Sequence, residues 1–262
     1  MTRIRAPAPS SGRGALAITA SWACSGGMSQ VENLERYLRA HLAAVSSGRE
    51  VGNGGVAPFI TISRQAGAGG RALADRLVEV FESYSEDLFS GWQVFDRRLC
   101  ELVAEDPKMS QALDSLLAEE YHSAAGAFFR SAFAPDQDVV MARVFEVVRS
   151  VAFAGKAVIV GRAGSQVSRD LDQGVHIRLV APMRVRVQRI ALRDGLDERS
   201  ARELTRRTDA HRARLLKARF DVDIEDPTNY DVTWNTDAAD LDEVAAAVAT
   251  LVRNRAGSPR TG

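Results

Sequence analysis

Hydrophobic and polar positions follow two alternating patterns along most of the chain. Short apolar runs rich in β-branched and aromatic residues predict buried strands at 59–63, 92–95, 157–160, 175–180 and 230–234. Longer segments with apolar residues three or four positions apart predict helices at 73–81, 140–151, 182–193, 198–218 and 241–252. Strands that alternate with helices indicate a parallel sheet covered on both faces, so the predicted fold class is α/β with three layers.

The chain before the first strand predicts a separate helix. Ser29 and Glu32 form a capping box at the start of an amphipathic segment, which either covers the surface of the domain or pairs two subunits as a homodimer. The pattern divides the chain into a disordered tail or upstream extension at 1–28, this helix with a glycine-rich linker at 29–57, a domain at 58–254 with a weakly patterned helical insertion at 106–136, and a disordered tail at 255–262.

Composition narrows the class of protein. The 34 basic and 34 acidic residues balance, which argues against binding to nucleic acid through bulk charge. No apolar run is long enough to span a bilayer, and the two cysteines fit a reducing compartment. The four histidines have no metal-ligand spacing, so no metal site is predicted. We therefore expect a cytoplasmic protein whose partners are small molecules.

A glycine-rich turn lies between the first strand and the first helix of the domain. Glycines let backbone N–H groups approach an anion closely, and a helix N-terminus adds a positive dipole end. Arg71 follows the glycines directly and could supply a mobile positive charge to phosphate oxygens. A tight turn that needs small residues for packing is the alternative. The candidate phosphate-binding residues are Gly67, Ala68, Gly69, Gly70 and Arg71.

Two phosphate-binding motifs compete for this turn. The pattern Gly-x-Gly-x-x-Ala, which starts at Gly67, fits the relaxed dinucleotide fingerprint, with Glu86 or Asp87 near the expected acidic position. The Walker loop fits poorly, because Arg64 stands at its first glycine and Gly70 at its lysine. The turn alone does not decide between the two.

Arginines cluster on the helices after the fourth predicted strand. Phosphoryl transfer builds negative charge on oxygens that positioned arginines can stabilise, whereas hydride transfer has less use for them. The alternative is a solvated face crossed by ion pairs, since acidic residues lie among the arginines. The residues with helical spacing are Arg186, Arg189 and Arg193, and then Arg202, Arg206, Asp209 and Arg212.

Three further polar residues directly follow predicted strands. Arg162 comes after the third strand, and Asp96 and Arg97 come after the second. Ligands of open parallel sheets bind at the carboxyl ends of the strands, so these side chains are candidate ligand contacts. For Asp96 a helix N-cap is the alternative role.

These motifs, in this order, resemble the cytidylate-kinase-like family of P-loop proteins. The similarity covers about residues 58–252 and lies in ITISRQAGAGGRALA, WQVFDRRL, VIVGRAGS, RLVAPMRVRVQRI, RRTDAHRAR and YDVTWNTD. The resemblance implies a three-layer P-loop NTPase fold with a five-stranded parallel sheet, a monophosphate-binding insertion and an arginine-rich lid at 195–220. It also implies ATP as co-substrate, with Mg²⁺ carried on it, and CMP or dCMP as the acceptor.

The resemblance also implies roles for individual residues. Gly161 and Arg162 match the first two residues of a Gly-Arg-Asp motif that contacts the monophosphate in related kinases, where Asp96 or Arg97 would assist. Arg71, Arg189 and Arg193 are expected to neutralise charge near the donor nucleotide. Arg206 and Arg212 are expected to neutralise charge from the lid, and Asp209 is expected to support the lid.

The chain departs from the family pattern where magnesium and the donor phosphates are usually held. Gly70 replaces the lysine, Arg71 the Ser or Thr directly after it that would hold magnesium, Ala163 the aspartate of Gly-Arg-Asp, and Val160 a frequent acidic residue. Two functions therefore remain open, a nucleoside monophosphate kinase and a nucleotide-binding regulatory module with little or no turnover. A dinucleotide-dependent oxidoreductase rests on the glycine pattern alone.

Overall fold

The computed structural model of the protein describes residues 57–96 and 138–257. Two single-turn 3₁₀ helices, Asp87–Phe89 and Pro227–Asn229, accompany the regular elements. In chain order these elements are β1 (Phe59–Arg64), α1 (Gly70–Glu82), β2 (Gln93–Phe95), α2 (Asp138–Ala154), β3 (Ala157–Val160), α3 (Gly164–Val167), β4 (Gly174–Val180), α4 (Met183–Asp194), α5 (Glu198–Phe220), β5 (Val232–Asn235) and α6 (Leu241–Gly257).

The five strands form one parallel sheet in the order β2-β3-β1-β4-β5. The central strand β1 pairs with β3 and β4, so that Ile60 lies opposite both Val158 and Val175. The predicted parallel sheet is confirmed. β5 begins at Val232, later than predicted, because Tyr230 closes the preceding 3₁₀ turn, where its N–H donates to the Pro227 carbonyl at 3.1 Å.

Both faces of the sheet are buried under helices. Successive side chains of β1 point to opposite faces, so this strand contributes to the apolar packing on both sides. Phe59 packs with Ile159 and with the valines of α2 on one face. Ile60 and Ile62 pack with apolar residues of α1 and α6 on the other. A third, smaller apolar cluster joins the glycine turn to α4 and α5. Helices therefore cover the sheet on both sides, and the carboxyl ends of the strands are left for the site.

The predicted lid region begins at Gly195, which ends α4 in the left-handed conformation, and continues as α5. At the other end of the domain α6 extends to Gly257, past the predicted boundary at 254, because Arg255 donates to the Gly174 carbonyl and pairs with Asp231. No helix in 57–96 or 138–257 is long and apolar enough to cross a membrane. The predicted N-terminal helix with its linker, the insertion at 106–136 and Arg97 lie outside the described residues.

Candidate functional site

The glycine turn is shaped by two left-handed residues. Gly67 has φ +78° and Gly69, which precedes the first residue of α1, has φ +86°. A Cβ on Gly67 would lie 2.5 Å from the Arg186 carbonyl oxygen, so glycine lets α4 approach the turn closely. The backbone N–H groups of Gly67, Gly69 and Gly70 donate to no acceptor in the described part of the chain. These donors at the start of α1 can therefore bind an anion.

Alanine at Gly67 is expected to destabilise the protein more than alanine at Gly69. A non-glycine residue in the left-handed conformation costs about 1–2 kcal/mol at either position. At Gly67 the new Cβ would also meet Arg186, whereas at Gly69 no atom lies within 4 Å of it. Urea unfolding of the two variants measures the difference. Equal losses of stability would contradict the close approach of α4.

The turn is fixed from the lid side by an acidic residue. Asp209 of α5 accepts a hydrogen bond from the Ala66 N–H at 2.6 Å and pairs with Arg186 Nη1, also at 2.6 Å. The buried Arg186 side chain in turn donates to the carbonyls of Ala66 and Ala181. One carboxylate thus joins α4, α5 and the turn, and the lid-support role of Asp209 stays a prediction.

Arg189 and Arg212 also contact the backbone around the turn. Arg189 donates to the side-chain and main-chain oxygens of Thr236 at 2.9 and 2.8 Å, and Thr236 donates to the Ala68 carbonyl at 3.0 Å. Arg212 Nη1 donates to the Arg64 carbonyl at 3.0 Å. These two predicted charge-neutralising arginines therefore lie beside the turn in fixed positions.

A pocket opens next to the turn, between the carboxyl ends of β1 and β3 and one face of α5. Three arginines line it, Arg64, Arg162 and Arg212. Burial and the repulsion of Arg212 and Arg162 lower the pKa of Arg64 to about 9, although Asp96 opposes this shift. Burial also lowers the pKa of Arg212 against the attraction of Asp209, and further arginines including Arg162 add to the shift. Mutually repelling cations in a partly buried pocket favour an anionic ligand.

The wall of this pocket at the end of β3 is a left-handed turn. Gly161, Arg162 and Ala163 have φ +84°, +54° and +55°, and the Gly164 N–H closes the turn on the Gly161 carbonyl at 2.9 Å. Non-glycine residues in this region are strained by about 1–3 kcal/mol each and occur often at ligand sites. A Cβ on Gly161 would overlap Arg64 Nη1, so the Arg64 side chain can lie against β3 because residue 161 is glycine.

The other predicted site residues lie further from this pocket or pair with each other. Arg71 donates to Asp75 at 2.9 Å and to Asp96 at 2.6 Å, so a candidate for the donor side is ion-paired with a candidate for the acceptor side. Arg193 is exposed and pairs with its neighbour Asp194. Arg206 is exposed on α5. The site roles of these residues remain predictions.

The chain pattern missed two groups that the structure places at the site. Arg64 was notable at first only as a mismatch to the Walker glycine, yet its side chain lines the pocket. Thr236, which follows β5, connects the turn to Arg189. The position of Thr236 just after a strand was the available clue, because that is where ligand-side residues of a parallel sheet lie.

Residues 59–238 match the cytidylate kinase-like family. The chain belongs to this family. It is also 31% identical over 107 residues to a cytidylate kinase from Methanoculleus marisnigri, a match that covers 39% of this chain and 58% of that protein. The chain therefore spans less than two thirds of the length of that relative.

A solved structure agrees with the architecture of this cytidylate kinase-like chain. An uncharacterised protein from Eubacterium ventriosum aligns with a TM-score of 0.58 and 21% identity, over 76% of this chain and 99% of that one. At this identity the likeness supports the fold alone. The family and the five-stranded parallel sheet together identify a three-layer α/β P-loop fold.

The residues around the turn fit a polyphosphate better than they fit a metal held by the protein. The glycine N–H groups and the arginines can bind phosphate oxygens. Arg71 and Val160 offer no side-chain oxygen where the family pattern has magnesium ligands. In the described ranges no group of three or more His, Cys, Asp or Glu residues is arranged to hold a metal ion. Any Mg²⁺ would therefore be bound mainly through the oxygens of the nucleotide.

Proposed function

We propose that this cytidylate kinase-like protein transfers the γ-phosphoryl group of ATP to a nucleoside monophosphate, with CMP or dCMP as the acceptor. The observation that carries the proposal is the convergence of Arg64, Arg162 and Arg212 on one pocket beside the turn at Gly67–Gly70. The turn and the pocket provide two adjacent anionic subsites. Phosphoryl transfer between two phosphates needs this arrangement.

In this mechanism the main-chain N–H groups of Gly67, Gly69 and Gly70 bind the donor phosphates at the start of α1. Arg162 holds the acceptor phosphate from the end of β3, and Arg212 stabilises the charge on the transferring group between the two subsites. An acceptor phosphate oxygen forms the new P–O bond while the bond from the γ-phosphorus to the bridging oxygen breaks, and ADP leaves. An ionised phosphate is already a nucleophile, so no general base is required. Mg²⁺ carried by ATP would supply additional charge neutralisation.

A second function has support from the same residues. Gly70 and Arg71 replace the lysine and the hydroxyl residue of the Walker loop, and Arg71 is itself paired with Asp75 and Asp96. These features favour a regulatory module that binds a nucleotide with little or no turnover. Both functions share the phosphate contacts and differ in whether the γ-phosphoryl group moves.

An assay of ADP release with a panel of nucleoside monophosphates, combined with calorimetry of ATP binding, separates these functions. Turnover that is fastest with CMP or dCMP supports the kinase. ATP binding without turnover supports the regulatory module. Binding of NAD but not of ATP would overturn both and support the dinucleotide-dependent oxidoreductase.

We further propose a cytoplasmic protein whose partners are small-molecule nucleotides rather than nucleic acid. The balanced charge and the low cysteine content support this view. The predicted homodimer through the N-terminal helix concerns residues outside the described part of the chain and stays a prediction.

A further inference from the structure

The side chain of Arg64 occupies the space beside the residue that replaces the Walker lysine. A Cβ built on Gly70 would lie 3.0 Å from Arg64 Cγ and 3.2 Å from Arg64 Cδ. Gly70 does not have a positive φ and begins α1, so its backbone would accept a side chain. The aliphatic part of Arg64 therefore runs where a lysine side chain at position 70 would start.

The head of the same side chain reaches the acceptor side of the pocket. Arg64 Nη1 lies against Gly161, next to Arg162 at the end of β3. Arg64 thus spans the distance between the first turn of α1, where the donor phosphates are proposed to bind, and the proposed acceptor subsite. A γ-phosphoryl group passing from donor to acceptor would cross this region.

No protein group in the described ranges explains the position of this guanidinium. Its nitrogens donate no hydrogen bond and form no ion pair there, whereas Arg71, Arg186 and Arg189 are all hydrogen-bonded. Arg162 and Arg212 repel it, and Asp96 attracts it only from beyond ion-pair distance. A partly buried cation placed in this way is unfavourable without a ligand. A structural role would predict a partner.

We propose that Arg64 is the principal phosphate-binding cation of the site, in the position between donor and acceptor that a loop lysine would otherwise fill. This inference rests on the proposed phosphoryl transfer and names the residue that replaces its missing charge. Arg64 donates to γ-phosphate oxygens and stabilises the charge that builds on them during transfer. The two differences from the Walker loop, arginine at 64 and glycine at 70, are then linked. A side chain at position 70 and the aliphatic part of Arg64 would compete for the same space, so the positive charge comes from residue 64 instead of residue 70.

The positive charge can be moved back to residue 70 to test this link. Arg64→Gln removes the positive charge but keeps an unbranched polar side chain at position 64. Arg64→Gly combined with Gly70→Lys moves the cation to the Walker position and clears the space it needs. Arg184→Ala serves as the control, because Arg184 is an exposed arginine of α4 that bonds only Gln188 among the described residues.

We expect Arg64→Gln to weaken binding of ATP and of inorganic tripolyphosphate by about 10-fold to 100-fold and to lower kcat by about 100-fold or more. The double variant should regain at least a tenth of the wild-type kcat, and the control should behave as wild type. In the absence of ligand, Arg64→Gln should melt at the same temperature as wild type or higher, because the repulsion is relieved.

The outcomes separate the two proposals. If wild type binds ATP and turns over while Arg64→Gln does so equally well, the inference on Arg64 fails and the proposed function stands. A lower melting temperature for ligand-free Arg64→Gln, with ATP affinity unchanged, would likewise overturn it in favour of a structural arginine. If wild type binds neither ATP nor tripolyphosphate, both proposals fail.

Discussion

Arg162→Ala is expected to lower kcat for transfer to CMP by about 100-fold, since the acceptor phosphate loses the residue that is proposed to hold it in position for attack. The residue lies in a pocket with Arg64 and Arg212 and sits directly at the carboxyl end of β3. Alanine leaves the other two cations in place but removes the contact to the acceptor phosphate. KM for the monophosphate should rise together with the loss in kcat.

The backbone at this position makes the substitution informative. Arg162 has φ +54°, and arginine and alanine are both ordinary L-residues that incur a similar strain there. A loss of activity can therefore be assigned to the guanidinium group rather than to the turn.

Steady-state kinetics of Arg162→Ala, Arg162→Lys and the surface control Arg184→Ala measures this effect. Lysine retains the charge but not the planar fork that can bind two phosphate oxygens, so we expect an intermediate rate. Wild-type kinetics in Arg162→Ala would remove Arg162 from the mechanism.

Asp209→Asn is expected to lower the free energy of unfolding by about 3 kcal/mol, the scale found when one partner of a buried ion pair is removed. The Arg186 side chain is 5% exposed and would keep its charge without its carboxylate. Its bonds to the carbonyls of Ala66 and Ala181 remain, which places the loss at the lower end of the usual range. The Ala66 N–H would keep an oxygen acceptor in asparagine, but a weaker one.

Urea unfolding monitored by circular dichroism measures this loss, and Glu198→Gln is the matched control. Glu198 pairs with Arg202 on the exposed face of α5, where ion pairs contribute little. The control should therefore unfold almost as wild type does. If Asp209→Asn lowered the free energy of unfolding no more than Glu198→Gln does, the Asp209 carboxylate would not be the group that holds α4, α5 and the turn together.

The sheet could be predicted from the sequence because its strands are short apolar runs that local pattern alone reveals. β3 and the start of β1 agree with prediction for this reason. The turn at Gly67–Gly70 was also predictable, since left-handed residues and the start of a helix have local requirements that glycine meets.

Contacts between distant side chains were not predictable in this way. Arg189 was expected near the donor, but nothing in the local pattern paired it with Thr236, which follows another strand. Arg71 and Asp96 were assigned to different phosphates, although the fold brings them within 2.6 Å. The course of Arg64 past Gly70 to Gly161 depends on the packing of three elements, so the sequence presented it as a mismatch.

Gly70 stands where the Walker loop has a lysine, and Arg64 lines the pocket beside it, which changes the chemical reagents that can label these residues. Among the described lysines, Lys156 donates to the Asp87 carbonyl and Lys217 pairs with Asp221, and neither lines the pocket. Acylating ATP analogues, which label proteins through a lysine beside the bound triphosphate, thus have no target among the described pocket residues. Dicarbonyl reagents such as phenylglyoxal attack the neutral form of a guanidine, and burial together with the neighbouring arginines lowers the pKa of Arg64 to about 9, so that this form is more accessible than in an ordinary arginine. Labelling of Arg64 by a dicarbonyl, and its protection by a bound nucleotide, would therefore detect nucleotide binding that a lysine-directed reagent would miss.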